Sequence, residues 1–525
     1  MASVDLLLAG PPLRLSKPPG PKPLPIIGNL LDLTSTTKEF WLLATKWAKE
    51  FGSVVSLHFF NVNVVFINTA EAANDLLDQR GVVYAGRPQL LMAGEMCGCE
   101  HMVTVPDERM DRLLILFVKV VFTTYNARFR RLRTLLHKAL SPSAIQVYEP
   151  LITSATRSFL RNLRASPESF FSHIKFYSGT IGLSVVYGHE AKFASDHFLL
   201  LLDECLEYLS CEITSGGGIW LVDVFPILRY LPKWLPGAGF KRKAEKWKRR
   251  IDAFADEPFQ LLKDNMETGT YRQSFCSTLL EDPIVAENSA ETGKEEFEFD
   301  LKWAANSMYS STVDSNLAAI TLIILALIAN PAAQKAARAE IDTVVGNDRL
   351  PDFQDREKLV YVEALYKECL RWGIPNPITM AHRVMKDDIY KGMHIPEGTL
   401  VFGNIWAMLR DPEVYPSPES FRPERFLEPC TPEEDRKRDP KIAFGFGRRI
   451  CPGMYLVDST IWLLMVNMLA VFDFSKAKDE LGIDQEINVE FNNPFFRIPT
   501  EFKCNIKPRD EKASKLLEQL QVFDA

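Results

Sequence analysis

The sequence predicts a mainly α-helical fold with small β-sheets, built as one large unit around a long central helix. Three observations support this prediction. Of the 525 residues, 46% are hydrophobic, which is enough for a large buried core. Segments with helical periodicity outnumber the short alternating segments that are typical of strands. No internal repeat and no change of composition divides the chain.

The first predicted elements are short. An amphipathic helix is expected over Lys38–Phe51, followed by strands at Val54–Phe60 and Val64–Asn68. Thr69 is a suitable N-cap for the next helix, because its hydroxyl can accept a backbone N–H of the first turn. Beyond Thr69 the pattern is mainly helical.

The central helix is predicted to have Asp300 as its N-cap and to end at Asn330, where Pro331 stops it. About 30 residues would span roughly 45 Å, enough to cross a whole domain. Its apolar part, Leu317–Ala329, is shorter than a bilayer span and is expected to be a buried core helix. The elements predicted downstream are helices Pro331–Gly346 and Val360–Trp372, strands Ile389–His394 and Thr399–Phe402, and an apolar helix that ends near Phe472.

The chain is expected to comprise an N-terminal segment with a proline-rich lead-in (1–25), one domain (26–510) and a C-terminal tail (511–525). The lead-in, Lys17–Pro25, has the composition of a stiff linker. Ahead of it, the apolar stretch Val4–Ala9 is shorter than a signal-peptide core and than a bilayer span. No transmembrane anchor is therefore predicted in this chain.

Charge and cysteine content exclude some classes of function. The formal net charge is −7, so the protein lacks the strongly basic field of a general nucleic-acid binder. The nine cysteines are scattered without the paired spacing of a disulfide framework, which favours a reducing compartment. Cys97 and Cys99 are one residue too close for a C-x-x-C redox or zinc motif.

The strongest chemical signal is the segment Phe444-Gly-Phe-Gly-Arg-Arg-Ile-Cys-Pro-Gly453. Its glycines allow a tight turn that can approach a flat ligand, and Cys451 stands just before a predicted helix. A thiolate there is expected to be stabilised by the helix N-terminus and by Arg448 and Arg449. Taken alone, a single cysteine in such a loop is more often an inert buried thiol.

The complete segment resembles the haem-binding loop of the cytochrome P450 family. It matches every fixed position of that signature, namely Phe444, Gly447, Arg449, Cys451 and Gly453. The resemblance implies a haem-thiolate protein of the fungal or microsomal type, with haem b as cofactor and Cys451 as the axial ligand of its iron. It also implies the P450-type fold, in which the long central helix lies over the haem.

Two further motifs, found in the family's order, carry the resemblance. Glu368-Cys-Leu-Arg371 is similar to the family's E-x-x-R, and the i, i+3 spacing places both charged side chains on one helix face. Arg425, in Phe421-Arg-Pro-Glu-Arg-Phe426, resembles the third member of a Glu–Arg–Arg network. The resemblance implies that this network stabilises the haem-loop side of the fold without touching substrate.

Haem propionates need cationic partners, and the resemblance assigns three. Arg133 matches the arginine of the family's W-x-x-x-R motif, although Phe129 stands in place of the tryptophan and lacks its indole N–H. His382 and Arg449 resemble two further propionate contacts.

The centre of the long helix departs from the family pattern A/G-G-x-D/E-T-T, whose acid and threonine deliver protons to dioxygen. This chain has Ser311-Thr-Val-Asp-Ser-Asn316. Asp314 is kept, and Ser315 replaces the threonine with another hydroxyl that can donate a hydrogen bond. Thr312 replaces a glycine and is expected to add bulk over the iron. The resemblance thus implies that Asp314, Ser315 and Thr312 act in oxygen activation.

The implied function is a monooxygenase that inserts one oxygen atom from O2 into a hydrophobic small molecule, a secondary metabolite or a xenobiotic. Electrons would come from NADPH through a cytochrome P450 reductase, docked on a basic face formed by Arg436–Arg438, Arg448 and Arg449. Two alternatives remain open. One is a haem-thiolate isomerase or dehydratase that needs no external electrons, motivated by Thr312 and Asn316. The other is a haem-binding relative without catalysis.

Substrate contacts are implied in four segments: the loop before Arg133, Ser311–Ser315, Ile378–Met380 and Phe495–Ile498. These are mostly apolar, which favours a hydrophobic ligand.

By resemblance, the protein is expected at the cytosolic face of the endoplasmic reticulum membrane, peripherally bound or soluble. Leu221–Phe240 mixes apolar, aromatic and basic residues, and both an interfacial segment and a buried loop fit this composition. Asp107–Thr124 looks inserted before the arginine-rich helix. A membrane contact, a cover for the pocket and an error in the gene model remain open for it.

Overall fold

The fold is described from a computed structural model of the 525-residue chain. The structure describes residues 16–25, 27–29, 31–32, 39–59, 62–88, 91–99, 126–213, 220–282, 293–491 and 496–520. Asp107–Thr124 lies outside these residues.

Helices dominate the described residues, as the sequence predicts. In chain order they are α1 Phe40–Phe51, α2 Ala70–Ala73, α3 Ala127–Leu140, α4 Pro142–Ala165, α5 Phe170–Tyr187, α6 His197–Glu207, α7 Leu221–Val224, α8 Gly239–Thr268, α9 Phe275–Glu281, α10 Lys294–Ser310, α11 Thr312–Ala329, α12 Pro331–Val344, α13 Val360–Gly373, α14 Ile405–Met408, α15 Pro432–Lys437, α16 Met454–Val471 and α17 Glu511–Gln519. A π-helical segment, Asn74–Gln79, continues α2 directly.

The β-structure is small. The strands are β1 Val54–Phe59, β2 Val62–Ile67, β3 His382–Arg383, β4 Asp388–Tyr390, β5 Met393–Ile395, β6 Leu400–Gly403, β7 Phe472–Lys476 and β8 Cys504–Pro508. A four-stranded sheet has the order β1-β2-β6-β3, in which only the β2–β6 pair is parallel. The pairs β4–β5 and β7–β8 form two-stranded antiparallel sheets. The predicted fold class, mainly α with small β-sheets, is confirmed.

The largest hydrophobic cluster surrounds the central helices. It joins side chains of α3 to α6 with those of α10, α11, α13 and α16. A second cluster packs the π-helical segment and β2 against β6 and the 3-10 turns before the cysteine loop. The cysteine loop therefore lies between the helical core and the sheet region.

The start of the central helix differs from the prediction. Asp300 is not an N-cap, because α10 already begins at Lys294, with Glu295 and Glu296 in its first turn. Acidic side chains in the first turn are stabilised by the positive end of the helix dipole. Asp300 is instead buried inside the helix and accepts hydrogen bonds from Arg128 Nε (2.7 Å) and Arg131 Nη2 (3.1 Å) of α3.

The central helix is also interrupted. Ser311 stands between α10 and α11, with φ −85° and ψ −9°. Among the described residues, two helices are long and apolar enough to cross a membrane, Lys294–Ala329 and Met454–Val471, and their most apolar windows are 78% and 72% buried. The prediction that Leu317–Ala329 is a core helix is thus confirmed.

Other elements agree with the prediction, with one exception. The Thr69 hydroxyl accepts the Ala72 N–H as an N-cap, and Pro331 begins α12. The predicted strand Ile389–His394 is instead a hairpin, because the chain reverses at Lys391 and Gly392, which have φ values of 45° and 77°.

The proline-rich lead-in does not behave as a free linker where the structure describes it. Ser56 N donates to the Pro19 carbonyl at 2.8 Å, and Asn29 N donates to the His58 carbonyl at 2.7 Å. The segment therefore lies along the outer edge of β1.

The structure decides between the two interpretations of Leu221–Phe240. The segment forms α7 and a 3-10 turn over Pro226–Tyr230. Five of its large apolar side chains are exposed, whereas Val222 is buried in a hydrophobic cluster. It is therefore a largely exposed segment and not a buried loop.

Candidate functional site

The cysteine loop is closed by its own backbone. Cys451 N donates to the Phe444 carbonyl at 2.8 Å, which joins the end of the 3-10 turn Pro440–Phe444 to the start of α16. Arg133 of α3 donates from Nη2 to the Ile450 carbonyl at 2.8 Å. The loop is thus held from within and from α3.

Gly447 has a steric reason to be glycine. Its φ is +53°, and a Cβ there would overlap the Leu77 carbonyl oxygen of the π-helical segment. Gly445 also has a positive φ, +85°, but a Cβ there would meet no atom within 4 Å. Gly453 is different again, because an added Cβ would lie 3.9 Å from Cys451 Sγ, an ordinary contact.

The protein surroundings do not by themselves make Cys451 a thiolate. Burial raises the pKa of the Cys451 thiol above its ordinary value, and this effect outweighs the Gly453 N–H and the charge of Arg133, which lower it. Arg448 and Arg449 were expected to stabilise the thiolate, but the arginine whose charge lowers the pKa of the Cys451 thiol is Arg133. Deprotonation at this position therefore needs a further positive partner, as coordination to a metal provides.

A buried cation that the sequence analysis missed lies close to the loop. Arg87 donates from Nη1 to the carbonyls of Met380 (3.1 Å) and Ala381 (2.6 Å), while its Nε has no partner in the described structure. Burial and the nearby charge of Arg133 lower the pKa of Arg87 to about 9. Nothing in the spacing around Arg87 distinguishes it from a surface arginine, so the sequence held no signal for it.

His382 and Arg449 complete the same region. His382 is buried on β3, its Nδ1 lies 2.8 Å from the Tyr84 carbonyl, and burial together with Arg87 lowers the pKa of its imidazole well below the ordinary value. Arg449 donates from Nε to the Ala85 carbonyl at 2.9 Å, and its guanidinium lies 3.9 Å from the centre of the Phe129 ring. Phe129 thus supports an arginine by cation–π contact.

The position of Arg449 corrects the predicted docking face. Its side chain points inward to Ala85 and Phe129, so it cannot form a surface with Arg436–Arg438. Lys437 moreover pairs with Glu433 at 2.8 Å.

This arrangement fits a cofactor with carboxylates. Arg87 and Arg133 are buried or half-buried, and within the described residues both donate to carbonyl oxygens and neither forms an ion pair. Burying a cation without an anion costs free energy, so an anionic ligand would stabilise this region. In the same described residues, no group of three His, Cys, Asp or Glu side chains gathers as a metal site. One thiol beside buried cations matches a haem, whose ring supplies the other iron ligands and whose propionates supply the anions.

A buried ion network lies on the other side of the loop. Glu368 and Arg371 are 0% exposed, and Arg371 Nε and Nη2 donate to the two carboxylate oxygens of Glu368 at 2.7 and 2.8 Å. Arg425 Nε lies 3.2 Å from Glu368 Oε2. The two arginines also donate to carbonyls of a loop over 409–420, namely those of Leu409, Pro416, Ser417, Pro418 and Ser420.

The central helix places its polar residues on two faces. Ser315 Oγ donates to the Ser311 carbonyl at 2.7 Å, and Asp314 Oδ2 accepts from Ser210 Oγ at 3.5 Å. Thr312 faces elsewhere: its Oγ1 donates to the Tyr309 carbonyl at 2.8 Å and lies against Gly182 of α5. The side chain of Thr312 therefore occupies space that the glycine of α5 leaves, and its role in oxygen activation stays a prediction.

The segments expected to contact substrate have mixed character. Ile378 and Thr379 are buried, and Met380 is half-buried. Phe495 and the loop directly before Arg133 lie outside the described residues. Arg497 donates to the Gly373 carbonyl and its guanidinium lies 4.8 Å from the Trp406 ring, so it is held inside the fold.

Comparison with known proteins decides the family. A family model described as Cytochrome P450 matches residues 18–111 and 116–496. The chain belongs to the cytochrome P450 family. The match is interrupted over 112–115, inside the segment that looked inserted.

Relatives of this P450 are fungal proteins. Cytochrome P450 monooxygenase 176 of Postia placenta is 35% identical over 512 residues, which cover 96% of this chain and 93% of the relative. Cytochrome P450 monooxygenase claT of Ampulloclitocybe clavipes is 36% identical over 511 residues, covering 96% and 94%. Cytochrome P450 monooxygenase COX2 of Coprinopsis cinerea is 34% identical over 507 residues, covering 97% and 92%.

Membership in the family establishes the general chemistry of this chain. It is an oxidoreductase, a P450 monooxygenase with a haem-thiolate cofactor, and it acts on dioxygen and an organic substrate.

The contact between Gly447 and Leu77 generates a prediction. Gly447→Ala should lower the melting temperature and the haem content, because it adds about 1–2 kcal/mol of left-handed backbone strain and about 1–3 kcal/mol of overpacking. Gly445→Ala is the matched control, since it adds the backbone strain alone. Thermal unfolding followed by absorbance measures both variants. Equal losses in the two variants would show that the Leu77 contact does not constrain the loop.

Proposed function

We propose that this P450 holds haem b through Cys451 and inserts one oxygen atom from O2 into a hydrophobic small molecule, a secondary metabolite or a xenobiotic, with electrons from NADPH through a cytochrome P450 reductase. The observation that carries the proposal is the cysteine loop, where a single thiol lies beside buried cations that lack carboxylate partners in the described structure. When bound, a thiolate-ligated haem activates O2, because the sulfur donates electron density that favours O–O cleavage.

The protein contributes anchoring of the cofactor. Arg87, Arg133, His382 and Arg449 surround the loop and would hold the propionates. His382 can donate its second ring hydrogen to a carboxylate only as an imidazolium, because Nδ1 already faces the Tyr84 carbonyl. Two propionates would favour that charged form, since a nearby opposite charge raises the pKa of an imidazole.

Phe444, Gly447 and Gly453 would shape the loop around the ligand. Glu368, Arg371 and Arg425 would act at a distance by fixing the 409–420 loop below it, as their hydrogen bonds to its carbonyls support.

Proton delivery is assigned to the polar face of α11. Asp314 is a half-buried carboxylate one position before Ser315, whose hydroxyl lies on the same face. A carboxylate and a hydroxyl together can take a proton from solvent and pass it toward the haem. Thr312 is left outside this relay, because its side chain contacts Gly182.

Reductase docking is proposed on the side of the cysteine loop. Exposed basic residues there are Arg448 and Arg130, the latter on α3. Such a face complements an acidic flavoprotein. The relatives named above are all called monooxygenases, and no observation favours an isomerase or a non-catalytic relative.

Cys451→Ala tests the proposal. The parent protein, given NADPH, reductase and a panel of hydrophobic compounds, should yield products heavier by one oxygen atom, with a thiolate-type spectrum of the reduced CO complex. The variant should lose that spectrum and the product together. Cys504→Ala, which changes a half-buried cysteine of β8, should keep both. An unaltered spectrum in Cys451→Ala would refute the ligand assignment, and products formed without reductase would favour an isomerase.

The assignment of Ser315 makes a separate prediction. Ser315→Ala should reduce product formed per NADPH by at least about tenfold and release hydrogen peroxide, because the hydroxyl that delivers protons is lost. Ser315→Thr keeps a hydroxyl and should keep most of the coupling. Product, NADPH and peroxide are measured in the same reaction. If Ser315→Ala stays as coupled as Ser315→Thr, then Ser315 does not deliver protons.

The protein is further proposed to contact the cytosolic face of the endoplasmic reticulum membrane peripherally. The support is a patch of exposed apolar side chains in one short segment: Leu221 (63% exposed), Phe225 (54%), Ile227 (75%), Tyr230 (69%) and Trp234 (79%). Basic residues, among them Arg229 and Lys233, flank these side chains. Apolar and aromatic residues with basic neighbours are typical of interfacial segments.

Vesicle binding tests this contact. Ile227→Ser with Trp234→Ser should lower co-sedimentation with vesicles of phosphatidylcholine and phosphatidylserine by about tenfold or more, because two large apolar side chains no longer enter the lipid. Leu481→Ser with Ile483→Ser is the control, since it removes two equally exposed apolar side chains elsewhere. Equal binding of both double variants would contradict the proposed face.

A further inference from the structure

One face of the central helix is polar and is not buried in the core, and it carries Ser315, the residue that the proposed function places beside the haem. Ser307, Ser310, Ser311, Asp314 and Ser315 are half-buried or exposed, and they recur every three or four residues. That spacing places them along one side of α10 and α11. The positions on the opposite side, among them Tyr309, Val313 and Asn316, are buried in the core.

The hydroxyls on this face use their hydrogens within the helix. Ser310 Oγ and Ser311 Oγ donate to the Ser307 carbonyl at 3.2 and 2.6 Å, and Ser315 Oγ donates to the Ser311 carbonyl at 2.7 Å. A serine hydroxyl has one hydrogen and two acceptor lone pairs. On the side away from the core these oxygens therefore present acceptors, and the carboxylate of Asp314 is an acceptor as well.

No donor group offsets these acceptors on the same helix face. Between Trp303 and Ala329, the other amide and threonine side chains of the described helix lie off this face. Asn306 Nδ2 donates to the Phe254 carbonyl, Thr321 donates to the Leu317 carbonyl, Thr312 packs against Gly182, and Asn316 is buried on the opposite side. An acceptor-rich surface repels a ligand carbonyl or ether oxygen, and it pairs with a ligand hydroxyl.

We infer that the substrate is an apolar scaffold that already carries a hydroxyl group, and that Ser310 and Ser311 accept its hydrogen. The inference rests on the proposed function and names the substrate class of the same site. Ser311 precedes Ser315 by four residues, which is about 6 Å along a helix. The hydroxyl would therefore lie about one helical turn away from the carbon beside Ser315 that is oxidised.

The inference also indicates which kind of reaction must precede this one. A scaffold hydroxyl must be present before this P450 acts, so the substrate must come from a reaction that places a hydroxyl group on an apolar scaffold.

Two matched series of ligands test the inference. The first is 5α-androstane, 5α-androstan-3β-ol and 5α-androstan-3-one, and the second is trans-decalin, its 2-alcohol and its 2-ketone. Binding is measured as the shift of the haem Soret band of the full-length holoenzyme. In at least one series the alcohol should bind about fivefold more tightly than both the hydrocarbon and the ketone, because the alcohol gains one hydrogen bond and the ketone gains none.

Variants assign the preference to the helix face. Ser310→Ala with Ser311→Ala should bring the alcohol to within about twofold of the hydrocarbon, and alanine suits a helix at both positions. Thr343→Ala is the control, since its hydroxyl makes the same kind of bond, to the Ala339 carbonyl, on the exposed surface of α12. That variant should keep the preference.

Three results would overturn the inference: a ketone that binds as tightly as the alcohol, a preference that survives in the double variant, or binding of neither alcohol. The thiolate-type CO spectrum and the product assay separate these results from failure of the proposed function. A protein that shows both signatures without an alcohol preference loses only the inference.

Discussion

The site depends on positive charge buried beside a thiol. Arg133 donates to a carbonyl of the cysteine loop, Arg87 lies near Arg133, and in the described structure the hydrogen bonds of both go to backbone carbonyls. Carbonyls orient a guanidinium but do not neutralise it, so the region is complete only with an anion in place. Because that anion would come with the cofactor, folding and cofactor binding are linked: the haem would stabilise the segments around Arg87, Ala381 and Ile450 simultaneously.

The Glu368 network also contains buried arginines, but there the protein itself supplies the negative charge. Arg371 and Arg425 are as deeply buried as Arg87, but Glu368 supplies their counter-charge, and backbone carbonyls occupy the remaining N–H groups. This network needs no ligand, so it can form before the haem enters. The cysteine loop is therefore supported by one region that the chain completes alone and by another that the cofactor completes.

Local patterns predicted much of this structure. The fold class, the Thr69 cap, the start of α12 at Pro331 and the buried character of Leu317–Ala329 all depend on neighbouring residues, and the structure agrees with each. The cysteine loop could be recognised in the sequence for the same reason, because its residues are contiguous.

Features set by distant packing were not predictable. The Asp300 carboxylate accepts hydrogen bonds from arginines of α3. The Thr312 side chain packs against α5 because Gly182 leaves space for it. Arg449 turns inward because the ring of Phe129 lies beneath it. Each of these outcomes requires knowing which segment lies opposite, and no spacing within a single helix or loop carries that information. The buried position of Arg87 belongs to the same class.

The contact of Gly447 with the Leu77 carbonyl ties two segments that lie far apart in the chain. Leu77 belongs to a π-helical segment, whose wider turn holds one more residue than an α-helical turn. Deleting one residue of the π-helical segment would rotate the Leu77 carbonyl away from Gly447. The cysteine loop would then lose this packing contact. The two segments are therefore expected to coevolve, and a chimera that exchanges the loop between relatives would have to inherit both from the same parent.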